Sequence, residues 1–301
     1  MKIKHLLCFI ALCLFFTPGK AQQLSVMTLR NGATVYIWED KSKPDVFGMI
    51  AFKVGSVDDP EQYTGLAHYL EHVMFKGTQT IDALDWEKEK PIYEKIIAKY
   101  DERAALSDPA AREAVDKEIN DLTREAAQYA AGNEFSLLVD HMGGQGLNAS
   151  TGYDQTEYHN SFPPSQLEKW LEIYSERLID PVFRGFQTEL EAVYEEYNMY
   201  NDDRGSRMRE FIYEQAFGDH PYARPIIGLP EHLKNPQLSK LIDFYNTWYG
   251  PQNMSIILVG NIDAKEAIPM IRDKFERVPR RAEIHREKKP VRQFKGRTEK
   301  S

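Results

Sequence analysis

Residues 68–72 read His-Tyr-Leu-Glu-His and lie inside an apolar-periodic stretch from Thr64 to Phe75. No other feature restricts the folding of this chain so much. The period predicts a helix, with Thr64 placed to cap its N-terminus. Residues four apart on a helix stand about 40° apart around its axis, so His68 and His72 share one face. Glu71 stands about 60° from His68 on the same side. Leu66, Tyr69, Leu70 and Val73 form the opposite stripe. The fold must bury that stripe while leaving two imidazoles and a carboxyl facing a cleft. A histidine that serves only packing usually stands alone, whereas two at this spacing can reach one metal ion.

A catalytic zinc needs a third protein ligand and an open position. No third ligand is adjacent, so it must come from elsewhere. The acidic stretch Thr188 to Arg209 reads as a helix with Leu190, Val193, Tyr194 and Tyr197 as its core stripe. Glu189 and Glu196 share one flank of that stripe; Glu191 and Glu195 lie on the other. Periodicity alone does not choose between the flanks, and a merely solvated acidic face gives the same pattern.

Around these two helices the chain alternates strand and helix signals. Asn31-Gly32, between alternating segments in Ser25 to Asp40, is a hairpin signal. Phe47 to Val54 and Ser255 to Val259 read as strands, the second ending at Gly260. Gly143 to Ser150 is a glycine-rich turn leading into another strand. Gln166 to Leu178 and Ala264 to Phe275 read as helices. Trp86 to Ala131 is charged, rich in Glu, Lys and Ala, and broken at Ser107-Asp108-Pro109; it reads as an inserted helical hairpin, peripheral to the core. The elements lack a regular βαβ rhythm. The expected class is therefore α+β, a mostly antiparallel sheet packed by helices. The GGQG run is not a dinucleotide fingerprint, because its spacing is wrong and no helix opens after it.

The formal net charge is −8 over 301 residues, which argues against general nucleic-acid binding. The one basic run starts at Arg277 and continues to residue 301. Both cysteines, Cys8 and Cys13, fall in an N-terminal stretch with Lys2 and Lys4, an apolar run from Leu6 to Phe16, and small residues at Gly19 and Ala21. That stretch reads as a signal peptide over 1–21, cleaved before Gln22, and its apolar run is too short for a comfortable span. The remainder has no cysteine and is more acidic. It needs no disulfide, has no stable membrane span, and suits the periplasm or the cell exterior.

Gly55 to Thr78, GSVDDPEQYTGLAHYLEHVMFKGT, resembles the signature of the pitrilysin/insulinase-type metallopeptidases, whose motif is H-x-x-E-H. GLNAS at Gly146, the pair Glu189 and Glu196, PYARPIIGLPEHL from Pro221, and Trp248 to Asp263 resemble further blocks of that family. The resemblance covers residues 22–276 nearly throughout. It implies one zinc ion held by His68, His72 and Glu196, with Glu71 as general base and Glu189 orienting the site from behind the ligands. It implies that Asn148 and Ala149 pair with a peptide substrate as an added strand. It further implies a clamshell of two homologous halves. This chain would be the N-terminal catalytic half, and residues 277–301 a basic linker toward a second half in cis or trans. The expected activity is a zinc-dependent endopeptidase. The competing expectations are a catalytic half inactive without its partner half, and a non-catalytic peptide-binding partner. The inserted hairpin lengthens the stretch between His72 and Glu196 beyond the family's usual spacing.

Overall fold

The computed structural model describes residues 23–284 together with Arg286 and Pro290. The leader expected over 1–21 and most of the basic linker expected over 277–301 lie outside the described residues. Six strands form one sheet: β1 (Gln23–Thr28), β2 (Thr34–Glu39), β3 (Val46–Phe52), β4 (Gln145–Thr151), β5 (Thr156–Phe162) and β6 (Met254–Gly260). Their order is β1-β2-β6-β3-β5-β4. Only the β2–β6 pair is parallel; every other pair is antiparallel.

The helices are α1 (Leu66–Val73), α2 (Trp86–Ala105), α3 (Pro109–Ala126), α4 (Glu134–His141), α5 (Leu167–Ile179), α6 (Phe186–Asp202), α7 (Arg204–Phe217), α8 (Pro230–Leu233), α9 (Leu238–Trp248) and α10 (Ala264–Phe275). One face of the sheet is the core. It presents Val35, Ile37, Val46, Ile50, Phe52, Tyr158, Phe162, Ile256 and Leu258, all buried. Trp170 of α5 lies so close to β3 that a Cβ at Gly48 would stand 2.5 Å from its ring. A glycine there is what lets the helix settle on the strand. Among the described residues nothing covers the opposite face: Leu24, Val26, Tyr36, Trp38 and Val259 are 37–55% exposed.

The Asn31-Gly32 turn forms as expected, with Gly32 at φ +102°. Asn31 also donates from Nδ2 to the carbonyls of Phe275 and Val278, at 2.7 and 3.1 Å. This ties the hairpin to the end of α10.

Three expectations need correction. The inserted hairpin exists, broken where Asp108 caps α3 by accepting from the Ala111 N–H at 3.1 Å and Pro109 opens the helix. It is not peripheral, however. Ile92, Ile96, Tyr100, Val115 and Ile119 are buried in the common core, and the Tyr100 ring stands 4.7 Å from that of Phe186. Its Glu89 is gripped by Arg184 at 2.6 and 2.7 Å. Second, the helix expected over Thr188 to Arg209 is two helices, parted at Asp203, whose side chain caps α7 through the Ser206 N–H. Third, Thr64 does not cap α1. The N-cap is Gly65 at φ +89°, and Asp59 takes the N–H groups of Gly65 and Ala67 at 2.7 and 2.9 Å. Thr64 instead accepts the Leu229 N–H and pairs with His232 Nδ1. Gly65 and Gly228 meet there backbone to backbone: a Cβ on Gly65 would stand 2.5 Å from the Ile227 carbonyl.

Candidate metal centre

Helix α1 is held at both ends before it presents anything. Asp59 satisfies its first donors. At its far end Arg177, fully buried, donates from Nη2 to the Met74 carbonyl at 3.0 Å. The guanidinium stands 4.4–5.5 Å from the rings of Phe75, Phe135, Tyr158 and Tyr174. A cation is well placed at a helix C-terminus, and aromatic faces stabilise it there. Leu66, Ala67, Tyr69, Leu70 and Val73 are buried. The Tyr69 hydroxyl donates to the Phe186 carbonyl, which fixes α1 against the start of α6.

That junction decides which flank of α6 faces the histidines. Glu196 Oε2 lies 3.6 Å from His68 Nε2 and 3.5 Å from His72 Nε2. Glu189 Oε2 lies 3.5 Å from His72 Nδ1, and its other oxygen is 2.5 Å from Lys76 Nζ. Glu191 and Glu195 are exposed and line a separate groove with Arg103 and Lys234. The two left open by periodicity are thus separated by the packing of α6.

One donor atom each from His68, His72 and Glu196 lies within 4.8 Å of the others. The contacts of 3.5–3.6 Å are too long for hydrogen bonds. They are close to the separation of about 3.3 Å between donors on a tetrahedron with bonds of about 2.0 Å. The set of two imidazoles and one carboxylate suits zinc. The residues therefore fit a single zinc ion, with Glu189 behind His72 in the position of a carboxylate that fixes the ring.

The electrostatics are asymmetric. Burial, then the neighbouring His72, holds His68 down at about 4, against the pull of Glu196. Burial also works against a charge on His72, but the Glu189 and Glu196 carboxylates outweigh it and raise His72 to about 9. Glu196 is held below the usual carboxylate range, chiefly by His72. Glu71 is buried, and burial pushes its carboxyl up against the lowering effect of Thr151, whose hydroxyl donates to it at 2.5 Å.

A cleft of about 300 Å³ opens over these groups, walled by His68, Glu71, Ala149, Thr151, Tyr153 and Arg209 among others. Strand β4 forms one edge of the sheet and brings Ala149 to this wall. Asn148 is exposed on the same strand and is not part of the wall. Sequence reasoning missed three residues here. Tyr200, which also walls the cleft, follows Glu196 by four positions on α6, so helical spacing already carried that signal; Lys76 lies just past the end of α1 and had none. Thr151 had none beyond its place on the strand.

The family model described as "Insulinase (Peptidase family M16)" matches residues 34–90 and 122–229. The chain belongs to the insulinase family of peptidases, M16. A second model of that family, described as "Peptidase M16 inactive domain", matches residues 237–301. The first M16 match passes over residues 91–121, the body of the inserted hairpin. The probable zinc protease PqqL of Escherichia coli is 25% identical over 270 residues, which is 86% of this chain and 23% of PqqL. Zinc protease PqqE of Helicobacter pylori is 24% identical over 254 residues, 83% of this chain and 46% of that protein. Among solved structures, the first half of the periplasmic protease PqqL superposes with a TM-score of 0.67 at 24% identity, covering 90% of this chain and 50% of that one. Pitrilysin superposes at 0.67 and 22%, covering 91% and 25%. These establish the M16 fold. The chain spans about a quarter to a half of the relatives it matches, and half of what that structure presents as the first half of PqqL.

Proposed function

We propose that this chain is the metal-binding part of a zinc-dependent endopeptidase acting on peptides or unfolded polypeptides. The observation that carries this reading is the convergence of His68, His72 and Glu196 from two helices beside a buried, non-ligating Glu71. Relatives named zinc proteases support the metal and the reaction class. His68, His72 and Glu196 hold one zinc ion, which when bound polarises a scissile carbonyl and lowers the pKa of water to about 7. Glu71 takes a proton from the attacking water and passes it to the leaving amine. Its burial favours that role, because a raised pKa brings the carboxyl nearer to neutrality. Glu189 orients the His72 ring, and Lys76 anchors Glu189 in turn. A substrate strand lies along β4 beside Asn148 and Ala149, with its backbone groups satisfied by the free edge. Catalysis requires the remainder of the M16 assembly, supplied in cis or trans. The leader pattern and the periplasmic location of PqqL support a site of action in the periplasm or outside the cell.

Metal analysis and a peptidase assay on the assembled enzyme test this together. The wild-type chain is expected to hold one zinc per molecule, and His72→Ala to lose it. Glu71→Gln is expected to keep the zinc and lose turnover, since an amide accepts no proton at neutral pH. Full zinc in His72→Ala would overturn the ligand set, and full turnover in Glu71→Gln the base.

A further inference from the structure

Strand β4 carries one side chain into direct contact with the base. The Thr151 hydroxyl donates to Glu71 Oε2 at 2.5 Å, and among the described residues it is the one hydrogen-bond donor that this carboxyl has. We infer that Thr151 is a positioning residue, which fixes Glu71 relative to the strand along which a substrate lies. The inference rests on the reading of Glu71 as general base and of β4 as the docking edge.

The period of the strand aims this hydroxyl. Leu147, Ala149 and Thr151 are half-buried on one side of β4, whereas Asn148 and Ser150 are exposed on the other. The Ser150 hydroxyl donates to Glu157 of β5, at 3.1 Å, and so is turned away from the base. Residues 55–59 set the gap between β4 and α1. Ser56 and Val57 donate their N–H groups to the carbonyls of Gly152 and Tyr153, at 3.1 and 3.0 Å, which holds the turn that follows β4. Two residues on, Asp59 caps α1 through the N–H groups of Gly65 and Ala67. A Cβ on Gly55 would stand 2.4 Å from the Gly152 carbonyl oxygen, so this segment closes on the turn backbone to backbone. One short loop therefore holds the end of β4 and the start of α1 together, and the Thr151 hydroxyl spans a gap whose width the backbone fixes.

The terminal torsion of a glutamate is soft, so a base on a helix needs something to hold its carboxyl plane. An O–H donated to a carboxylate oxygen is among the stronger hydrogen bonds, and here it engages Oε2 and leaves Oε1 without a protein donor. A substrate paired with β4 takes its register from the backbone of the same strand. Base and scissile carbonyl are thus both referenced to β4, and Thr151 is the side chain that joins the two. Losing its hydroxyl should disturb turnover and spare substrate pairing, which uses backbone groups. It should also spare the metal, because Thr151 donates to none of the three ligands.

Thr151→Val removes the hydroxyl and keeps the shape. In the assembled enzyme its kcat should fall about 10- to 100-fold, a part of the roughly 10²- to 10⁴-fold that a positioned base supplies, with KM unchanged. Zinc content should stay as in the wild type, and Thr151→Ser should recover most of kcat. A second measurement does without turnover. In urea unfolding of the metal-free chain, Thr151→Val should lower the midpoint when Glu71 is present and leave it unmoved in a Glu71→Ala background, because the partner is already gone. Thr151→Ala takes the place of the valine variant if that one does not fold. Wild-type kcat in a folded Thr151→Val, a loss confined to KM, loss of zinc, no recovery in Thr151→Ser, or equal midpoint shifts in both backgrounds would each overturn the role of Thr151. Failure of the peptidase reading looks different: the assembled wild type turns over nothing, or Glu71→Gln stays fully active, and the positioning role then falls with the base.

Discussion

His68 and His72 share a helix face, yet their surroundings favour different charges at neutral pH when no metal is bound. With His68 held at about 4 and His72 raised to about 9, the first is neutral and the second protonated throughout the physiological range. A metal takes only neutral imidazole. Binding one zinc at pH 7 should therefore expel the proton of His72, because Glu196 is already ionised, and a zinc-bound water with a pKa of about 7 would release part of a second. Affinity should climb by about tenfold per pH unit or somewhat more up to about 9, beyond which His72 adds nothing further. The stability of the metal-stripped chain runs the other way. The folded pKa of His72 lies above its unfolded value, so its pairing with Glu189 and Glu196 stabilises fully below about 6.5 and fades as pH rises through about 9. Calorimetry of zinc binding in two buffers of different ionisation enthalpy counts the proton directly; a count of zero at pH 7 would contradict this charge assignment. That both histidines and Glu71 belong together was legible from spacing alone. That Glu189 and Glu196 face them, rather than Glu191 and Glu195, was not. Both flanks are equally polar, and the choice comes from the Tyr69–Phe186 junction, a contact between residues far apart in sequence.

Among the elements, the inserted hairpin shows best what composition hides. Its surface is so charged that its few apolar residues read as incidental. Yet five of them are buried, and Tyr100 reaches across to Phe186 under the start of α6, the helix that carries Glu189 and Glu196. Tyr100→Ala should cost about 3–5 kcal/mol in urea unfolding, the range for a lost core aromatic. Asp108→Ala, at the turn of the same hairpin, should cost only about 0.5–2 kcal/mol, the worth of a cap. Equal and small effects would return the hairpin to the periphery. Strand β5 escaped the sequence for a related reason. Its inward positions are Thr156, Tyr158, Asn160 and Phe162, so half of its buried side is polar. Asn160 is tolerated there because Trp170 Nε1 and the Tyr174 hydroxyl both donate to its carbonyl oxygen, at 2.8 and 2.7 Å. The break at Asp203 was hidden by an unbroken run of polar residues, in which one aspartate ends α6 and caps α7. By contrast β6 and α10, with clean apolar periods and an Asp263 cap, were readable almost to the residue.

At the scale of the whole molecule, two apolar surfaces are left bare among the described residues. One is the outer sheet face around Tyr36 and Trp38. The other is the outward stripe of α7, where Met208, Phe211 and Ile212 are 54–60% exposed beside the cleft that Arg209 helps to wall. Contiguous apolar surface of this kind marks interaction sites in soluble proteins. The relatives are two to four times as long as the part of them that this chain matches. The last prediction follows from these two facts. This chain alone should hold zinc yet turn over peptides very slowly. On the proposed function it would offer a substrate one strand edge, one base and one metal, and would leave the reacting carbonyl open to bulk water. Electrostatic stabilisation of a developing oxyanion is strong only where water is excluded, and each missing donor costs about 10²- to 10³-fold in rate. A quenched fluorogenic peptide, assayed at matched zinc occupancy with and without the remaining M16 units, measures the difference. At least about a hundredfold gain on assembly is expected. Equal turnover would show that the groups described here suffice, and that the bare surfaces serve some purpose other than closing the site.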